Sequence, residues 1–272
     1  MDNRPIGVYD SGLGGLSVWR ELCRLLPHES IIYLGDGKNC PYGGRSREEI
    51  TEFAKASVER LVKEGVKMVV VGCNTATTAA IATLRDIWRD MPIVGLEPAV
   101  KPACLGTKTG RIAVLATAHS LRSDMFLSTT ARYAEGVEVL KVEGKGFVDL
   151  VEAGKEDTEE ASQAVRKVVE PMLESGIDKI VLGCTHYPFL RSHIEEIVAG
   201  RGIEIVDSGA AVARRVEWLL KRYKIAARSD HKADYRFISF ADESYRQAME
   251  ERGQRILNEV KGEKYGVCDA YI

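Results

Sequence analysis

Short apolar runs alternate along the chain with longer stretches whose apolar residues recur every three or four positions. Runs at 5–9, 31–34, 66–71, 92–96, 111–116, 137–142, 177–182 and 203–206 have the length of strands. Between them the chain is amphipathic. From Glu48 to Val62, for example, Ile50, Phe53, Ala54, Val58, Leu61 and Val62 fall near one face at helical spacing. Strands alternating with helices in this way predict an α/β fold with mostly parallel sheets flanked by helices. Beyond 207, Ala210 to Arg222 reads as a helix, 235–240 as a late strand and 243–261 as a charged helix.

Two of these runs nearly repeat each other. Glu64-Gly65-Val66-Lys67-Met68-Val69-Val70-Val71-Gly72-Cys73-Asn74-Thr75 aligns without a gap to Ser175-Gly176-Ile177-Asp178-Lys179-Ile180-Val181-Leu182-Gly183-Cys184-Thr185-His186. The likeness extends outward at lower identity. Ile6 to Ser11 corresponds to Ile112 to Thr117, Ile31 to Asp36 to Val137 to Val142, and Pro92 to Leu96 lies near Ile203 to Asp207. Each half then holds four strands in the same order, with a cysteine after the third. Pro98, Pro102, Gly106 and Gly110 interrupt the pattern and place the boundary between the halves near 97–110.

Composition narrows the class. At 272 residues the chain has room for one large α/β domain or two modest lobes. Lys+Arg 38 against Asp+Glu 40 leaves no basic excess for nucleic acid. No apolar run approaches the ~18–20 residues of a membrane span, and the N-terminus lacks a signal-peptide core. The cysteines at 23, 40, 73, 104, 184 and 268 are scattered, which fits reduced thiols and a cytoplasmic location. Without a CxxC pair or a Cys/His cluster at zinc-ligand spacing, no metal is expected.

Candidate chemistry gathers at the predicted strand ends. Cys73 and Cys184 each follow a glycine at the carboxyl end of a strand, where open α/β sheets bind ligands. Each precedes a predicted helix, from Thr75 in the first half and from Pro188 in the second, and a helix N-terminus favours a thiolate. The bland alternative is a buried core cysteine. Asn74, Thr75 and Thr185 bring donors suited to a carboxylate or phosphate, and the same residue types serve as N-caps. His186, two residues after Cys184, is either a structural histidine or a proton partner for the thiol. His119 follows a strand end and could line a cleft. The turn Asp10-Ser11-Gly12-Leu13-Gly14-Gly15-Leu16 is not a dinucleotide fingerprint, because Ser17 stands where the third glycine belongs. Its glycines still permit close backbone approach, and Asp10 adds an acid that the second half replaces with Ala116. Pro41-Tyr42-Gly43-Gly44 reads as a turn, with a tyrosine able to cover a ligand.

Together Asp10 to Val18, Pro41-Tyr42-Gly43, Gly72-Cys73-Asn74-Thr75, Gly183-Cys184-Thr185-His186-Tyr187-Pro188 and Phe147 to Gly154 resemble the glutamate racemase family. It lies within the cofactor-independent aspartate/glutamate racemases. The resemblance implies two pseudo-symmetric lobes, 1–97 plus 208–272 and 98–207, with the active site in the cleft between them. It implies Cys73 and Cys184 as catalytic acid/base residues assisted by Asp10 and His186. Substrate contacts would come from Asp10, Ser11, Tyr42, Gly43, Asn74, Thr75, Thr185 and His186, with Glu152 and Thr117 behind them. It further implies glutamate as substrate, no cofactor, a homodimer and a role in supplying D-glutamate for peptidoglycan. Departures from the common pattern include Asn39-Cys40 before Pro41, which brings an extra thiol near the cleft, and Gly144-Lys145-Gly146 before Phe147. Competing readings are an aspartate racemase, a single-cysteine decarboxylase, which two intact cysteines disfavour, and a non-catalytic binding protein on the same scaffold.

Overall fold

The computed structural model describes residues 1–262, which form two parallel sheets with helices on both faces. The first half runs β1 (Ile6–Asp10), α1 (Leu16–Leu25), β2 (Ile31–Gly35), α2 (Arg47–Lys63), β3 (Met68–Val71), α3 (Asn74–Ile87) and β4 (Ile93–Gly95). The second half continues with α4 (Val100–Gly106), β5 (Arg111–Ala116), α5 (Ala118–Arg122), α6 (Asp124–Tyr133), β6 (Glu138–Glu143), α7 (Phe147–Glu152), α8 (Glu159–Leu173), β7 (Lys179–Leu182), α9 (Arg191–Val198) and β8 (Glu204–Val206). The chain closes with α10 (Gly209–Tyr223), β9 (Tyr235–Ser239) and α11 (Glu243–Gly262). Short 3-10 turns occupy Tyr42–Gly44 and Tyr187–Leu190.

The central strands are apolar on both faces because helices cover both. In the first sheet, Val8 and Val70 point toward a core shared with Trp19, Leu22, Val216, Met249 and Leu257. Tyr9, Val69 and Val71 point the other way, onto Ile50, Val58, Leu61 and Leu84. The second sheet repeats the plan, with Phe147, Val165, Tyr187 and Ile194 on one face and Val100, Ala103 and Phe126 on the other. Local signals agree with the packing. At the start of α2, Ser46 and Glu49 form a reciprocal capping box.

Duplication is visible in the topology. The strand order β4-β3-β1-β2 recurs as β8-β7-β5-β6, and β9 extends the first sheet beside β2. Ile6 pairs with Met68 and Ile112 with Lys179, so the β1/β3 register carries over to β5/β7 as the sequence repeat implied. The outer strands need correction. Ile6 lies opposite Ile31, whereas Ile112 lies opposite Val139 and not Val137. The equivalence between β2 and β6 is therefore shifted by two residues. An even shift leaves the same side chains on each face, so hydrophobic pattern alone could not reveal it.

A buried ion pair anchors the base of the first sheet. The Lys67 ammonium lies 2.6 Å from Glu29 and donates to the Asp2 carbonyl at 2.6 Å, with both side chains almost fully buried. Lys67→Met should cost about 3 kcal/mol, because it leaves the Glu29 carboxylate buried without its cation. Urea denaturation monitored by tryptophan fluorescence measures the loss.

Candidate active site

In each sheet the third strand and the first lie side by side, and the chain leaves them in different directions. This is the switch point at which α/β sheets hold ligands. Asp10 ends β1, and Cys73 follows β3 after one glycine. Cys184 follows β7 in the same way. The two switch points face each other across the junction of the sheets. Thr185 Oγ1 donates to Asp10 Oδ2 at 3.1 Å, Ser17 Oγ donates to the Thr185 carbonyl at 2.8 Å, and Thr75 Oγ1 lies 3.2 Å from Thr117 Oγ1. Asp10 is fully buried, Cys73 is 5 % exposed and Cys184 7 %. The thiols are therefore enclosed between the two halves.

Their surroundings differ. The Cys73 sulfur caps α3 by accepting from Ala76 N at 3.4 Å, and its thiol donates to Ser11 Oγ at 3.5 Å. The sulfur itself thus fills the capping role that Asn74 or Thr75 could have taken. Burial, reinforced by the negative charge of Asp10, pushes the Cys73 thiol up to about 12. Asn74 is buried, and its side-chain amide nitrogen has no hydrogen-bond partner within the described residues, leaving a donor beside Cys73. Cys184 does not open an α-helix directly. Tyr187–Leu190 forms a 3-10 turn before α9, so the helix expected from Pro188 begins only at Arg191. The direct partner of Cys184 is His186, with Sγ 3.7 Å from Nδ1.

His186 is the centre of a relay. Its Nε2 lies 2.6 Å from Glu152 Oε1, and Glu152 also accepts from Leu13 N at 2.7 Å and from the Tyr245 hydroxyl at 2.7 Å. Burial disfavours charge on His186, but hydrogen bonds with Cys184, Cys40 and Glu152 outweigh it and raise the imidazole well above its usual value. Burial likewise opposes charge on Glu152. The bonds from His186, Leu13 and Tyr245 prevail and hold its carboxyl below the usual range. Tyr245, near the start of α11, has no sequence signal pointing to the site.

The glycine turn after β1 exists for this contact. A Cβ at Gly12 would lie 2.1 Å from Glu152 Oε1, and one at Gly14 would lie 2.3 Å from His186 Nδ1. The turn packs directly on side chains of the other half. The remaining candidates are placed differently. The Tyr42 hydroxyl accepts from Tyr9 at 2.8 Å and donates to Asp36 at 2.6 Å, so it is committed to the first half's interior. Gly43 lines a cavity of about 430 Å³ together with Arg45, Arg47, His119 and Arg122, and neither Cys73 nor Cys184 lines it.

Two duplicated α/β halves, each bringing a thiol to its switch point, define a class of protein suited to acid/base chemistry between its halves. A family model described as Asp/Glu/Hydantoin racemase matches residues 14–216. A glutamate racemase of Herpetosiphon aurantiacus is 49% identical over 220 residues, covering 81% of this chain and 86% of the relative. Among solved structures, a glutamate racemase isoform of Bacillus anthracis superposes with a TM-score of 0.84 at 34% identity, covering 94% of this chain and 95% of that one. The Escherichia coli glutamate racemase, solved with L-glutamate and the activator UDP-MurNAc-Ala, gives 0.83 at 33% identity, covering 93% of this chain and 95% of that one. The chain belongs to the Asp/Glu/hydantoin racemase family, among its glutamate racemases.

Asp10 sets the pH behaviour of the site. Burial raises its carboxyl to about 6, against the pull of the His186 charge and the hydrogen bonds from Gly12 and Thr185. A carboxyl whose folded pKa is raised favours folding below its unfolded value near 3.8 and loses that contribution as pH climbs through 6. Asp10→Asn should therefore stabilise the protein at pH 8, by up to about 3 kcal/mol, and bring no gain at pH 4. Thermal melts of both proteins at the two pH values test the sign.

Proposed function

We propose that the protein interconverts L- and D-glutamate by two-base proton transfer at Cα between Cys73 and Cys184, without a cofactor. One observation carries the reading: two thiols at equivalent strand ends of duplicated halves, enclosed together, with Asp10 beside one and His186 beside the other. Removing a weakly acidic Cα proton and returning one to the opposite face calls for a base and an acid on opposite sides. The imidazolium of His186, held by Glu152, offers positive charge to the Cys184 sulfur. That sulfur, as thiolate, takes the proton of L-glutamate. The buried Cys73 thiol then donates its proton to the other face, and D-glutamate leaves with Cys73 as thiolate. The reverse reaction exchanges the roles.

The carbanion needs donors fixed before the reaction and water excluded. Asn74, with its unpartnered amide, and the hydroxyls of Ser11, Thr75 and Thr185 supply candidate donors. Gly43 would shape the mouth, with Tyr42 held behind it by Tyr9 and Asp36, while Thr117 would hold Thr75. Because the thiols are nearly inaccessible, glutamate reaches them when the halves part. The reading extends to a cytoplasmic supply of D-glutamate for peptidoglycan and to a homodimer. No helix among the described residues is long and apolar enough to cross a membrane. Half-exposed Trp218 and Tyr223 on α10 offer apolar surface for a second copy.

Purified protein in D2O should exchange the Cα hydrogen of both glutamate enantiomers without added cofactor, and aspartate far more slowly. Absence of exchange with either glutamate enantiomer sinks the proposal. Cys73→Ser and Cys184→Ser should each abolish net racemisation. Full activity in either excludes the two-base assignment. Tyr245→Phe removes one donor from Glu152 while keeping the ring. Its kcat should fall about tenfold, the size of one hydrogen bond to a charged group, with KM little changed. Glu152 then protonates at higher pH, so the acid limb of the kcat/KM profile should move up. An unchanged profile removes Tyr245 from the relay.

A further inference from the structure

Cys40 takes no part in the proposed proton transfer, yet the fold sets it against the relay. Its sulfur, a ring nitrogen of His186 and a carboxylate oxygen of Glu152 all lie within 4.8 Å of one another. The three residues come from the turn after β2, the turn after β7 and the end of α7. No sequence spacing relates them. Gly12 makes the approach possible, since a Cβ there would sit 3.0 Å from the Cys40 sulfur as well as against Glu152.

We propose that Cys40, Glu152 and His186 form a binding site for a soft divalent cation of the zinc type, and that occupancy switches the enzyme off. Thiolate, imidazole and carboxylate are the donor set that zinc takes, whereas magnesium and calcium prefer oxygen alone. Zinc bonds of about 2.0–2.3 Å place such ligand atoms roughly 3.3–3.8 Å apart, so separations of up to 4.8 Å must close by about 1 Å while the 2.6 Å His186–Glu152 hydrogen bond opens to admit the ion. The outer contacts are already in place. Glu152 is oriented by Leu13 N and by the Tyr245 hydroxyl, as second partners orient metal ligands elsewhere. Cys40 is partly exposed, which gives the ion a way in, while His186 is buried. On binding, the Cys40 thiol and the imidazole each release one proton to solvent and coordinate through the freed lone pairs. No electron is transferred. Coordination replaces the Glu152 hydrogen bond that holds the ring, so the imidazole is repositioned by the metal and no longer held by Glu152 against Cys184. The loss of activity rests on the racemase reading, but the binding itself does not.

Cadmium reports thiolate coordination through its ultraviolet charge-transfer absorption, and zinc affinity is read by competition with a chromophoric chelator. The wild-type protein should take one ion with the absorption of one thiolate. Cys40→Ser and Cys40→Val should lose that band and bind zinc at least tenfold more weakly, while Cys184→Ser should keep both. A band that persists in the Cys40 variants, or that disappears in Cys184→Ser, overturns the assignment. In parallel, stoichiometric zinc should suppress glutamate racemisation, EDTA should restore it, and Cys40→Ser should need at least ten times more zinc for the same inhibition. Equal zinc sensitivity of the two proteins also overturns it. If no protein racemises glutamate, the proposed function fails while the metal measurements still decide the site.

Discussion

The Glu152 carboxylate is the contact on which the arrangement of the site depends. A buried carboxylate is tolerated only when its oxygens are matched by donors, and here the donors come from three separate places. Leu13 N comes from the turn after β1, His186 from the turn after β7, and the Tyr245 hydroxyl from α11. Satisfying one acid therefore fixes the first half, the second half and the C-terminal helix relative to one another. The same crowding dictates the glycines at 12 and 14, since any side chain there would enter the His186–Glu152 pair. The glycine turn after β1 is shaped by a protein carboxylate and imidazole.

The C-terminal helix reinforces this junction from outside. Met249, Ile256, Leu257 and Val260 bury α11 in the first core, yet Arg252 pairs with Glu156 and its guanidinium stacks on Phe189 at 5.0 Å. Both partners belong to the second half. A helix packed on one half and ion-paired to the other resists their separation, so any opening that admits substrate must either strain these contacts or turn about them. The relay through Tyr245 therefore couples the position of α11 to the atom that orients His186.

What could be read from the sequence was what repeats or lies close along the chain. The cysteine segments carried the β1/β3 register into β5/β7 because a gapless repeat preserves it. Between Thr117 and Gly136 the second half inserts two helices, α5 and α6, where the first half has α1 alone. The register of β6 slipped there by two residues without disturbing the hydrophobic alternation. The start of α9 was misplaced because proline suits the first turn of a 3-10 segment as well as of an α-helix. Contacts between distant residues left little trace in the pattern itself. The family resemblance placed Cys40 near the cleft and Glu152 behind it, while Tyr245 sits in a charged helix with no such signal. Only the closing of two sheets brings Cys40 or Tyr245 to Glu152.

Duplication alone would give the proposed two-base reaction two equivalent thiols. Two copies of Cys73, each buried beside a carboxylate, would both be pushed toward the protonated form. Two copies of Cys184 would both have an imidazole in contact and no carboxylate beside them. The repeat is broken at the positions that decide this. Asp10 is matched by Ala116, and His186 by Thr75, so each half keeps one charged neighbour of opposite sign to the other's. The anion stands where it raises the Cys73 thiol, and the imidazole stands in contact with the Cys184 sulfur. Thr185 ties the two environments together by donating to Asp10 from the residue between Cys184 and His186. A carboxyl lifted to about 6 by its own burial is a standing cost to the fold. In the proposed two-base reaction, the asymmetry it creates between otherwise equivalent thiols offsets that cost.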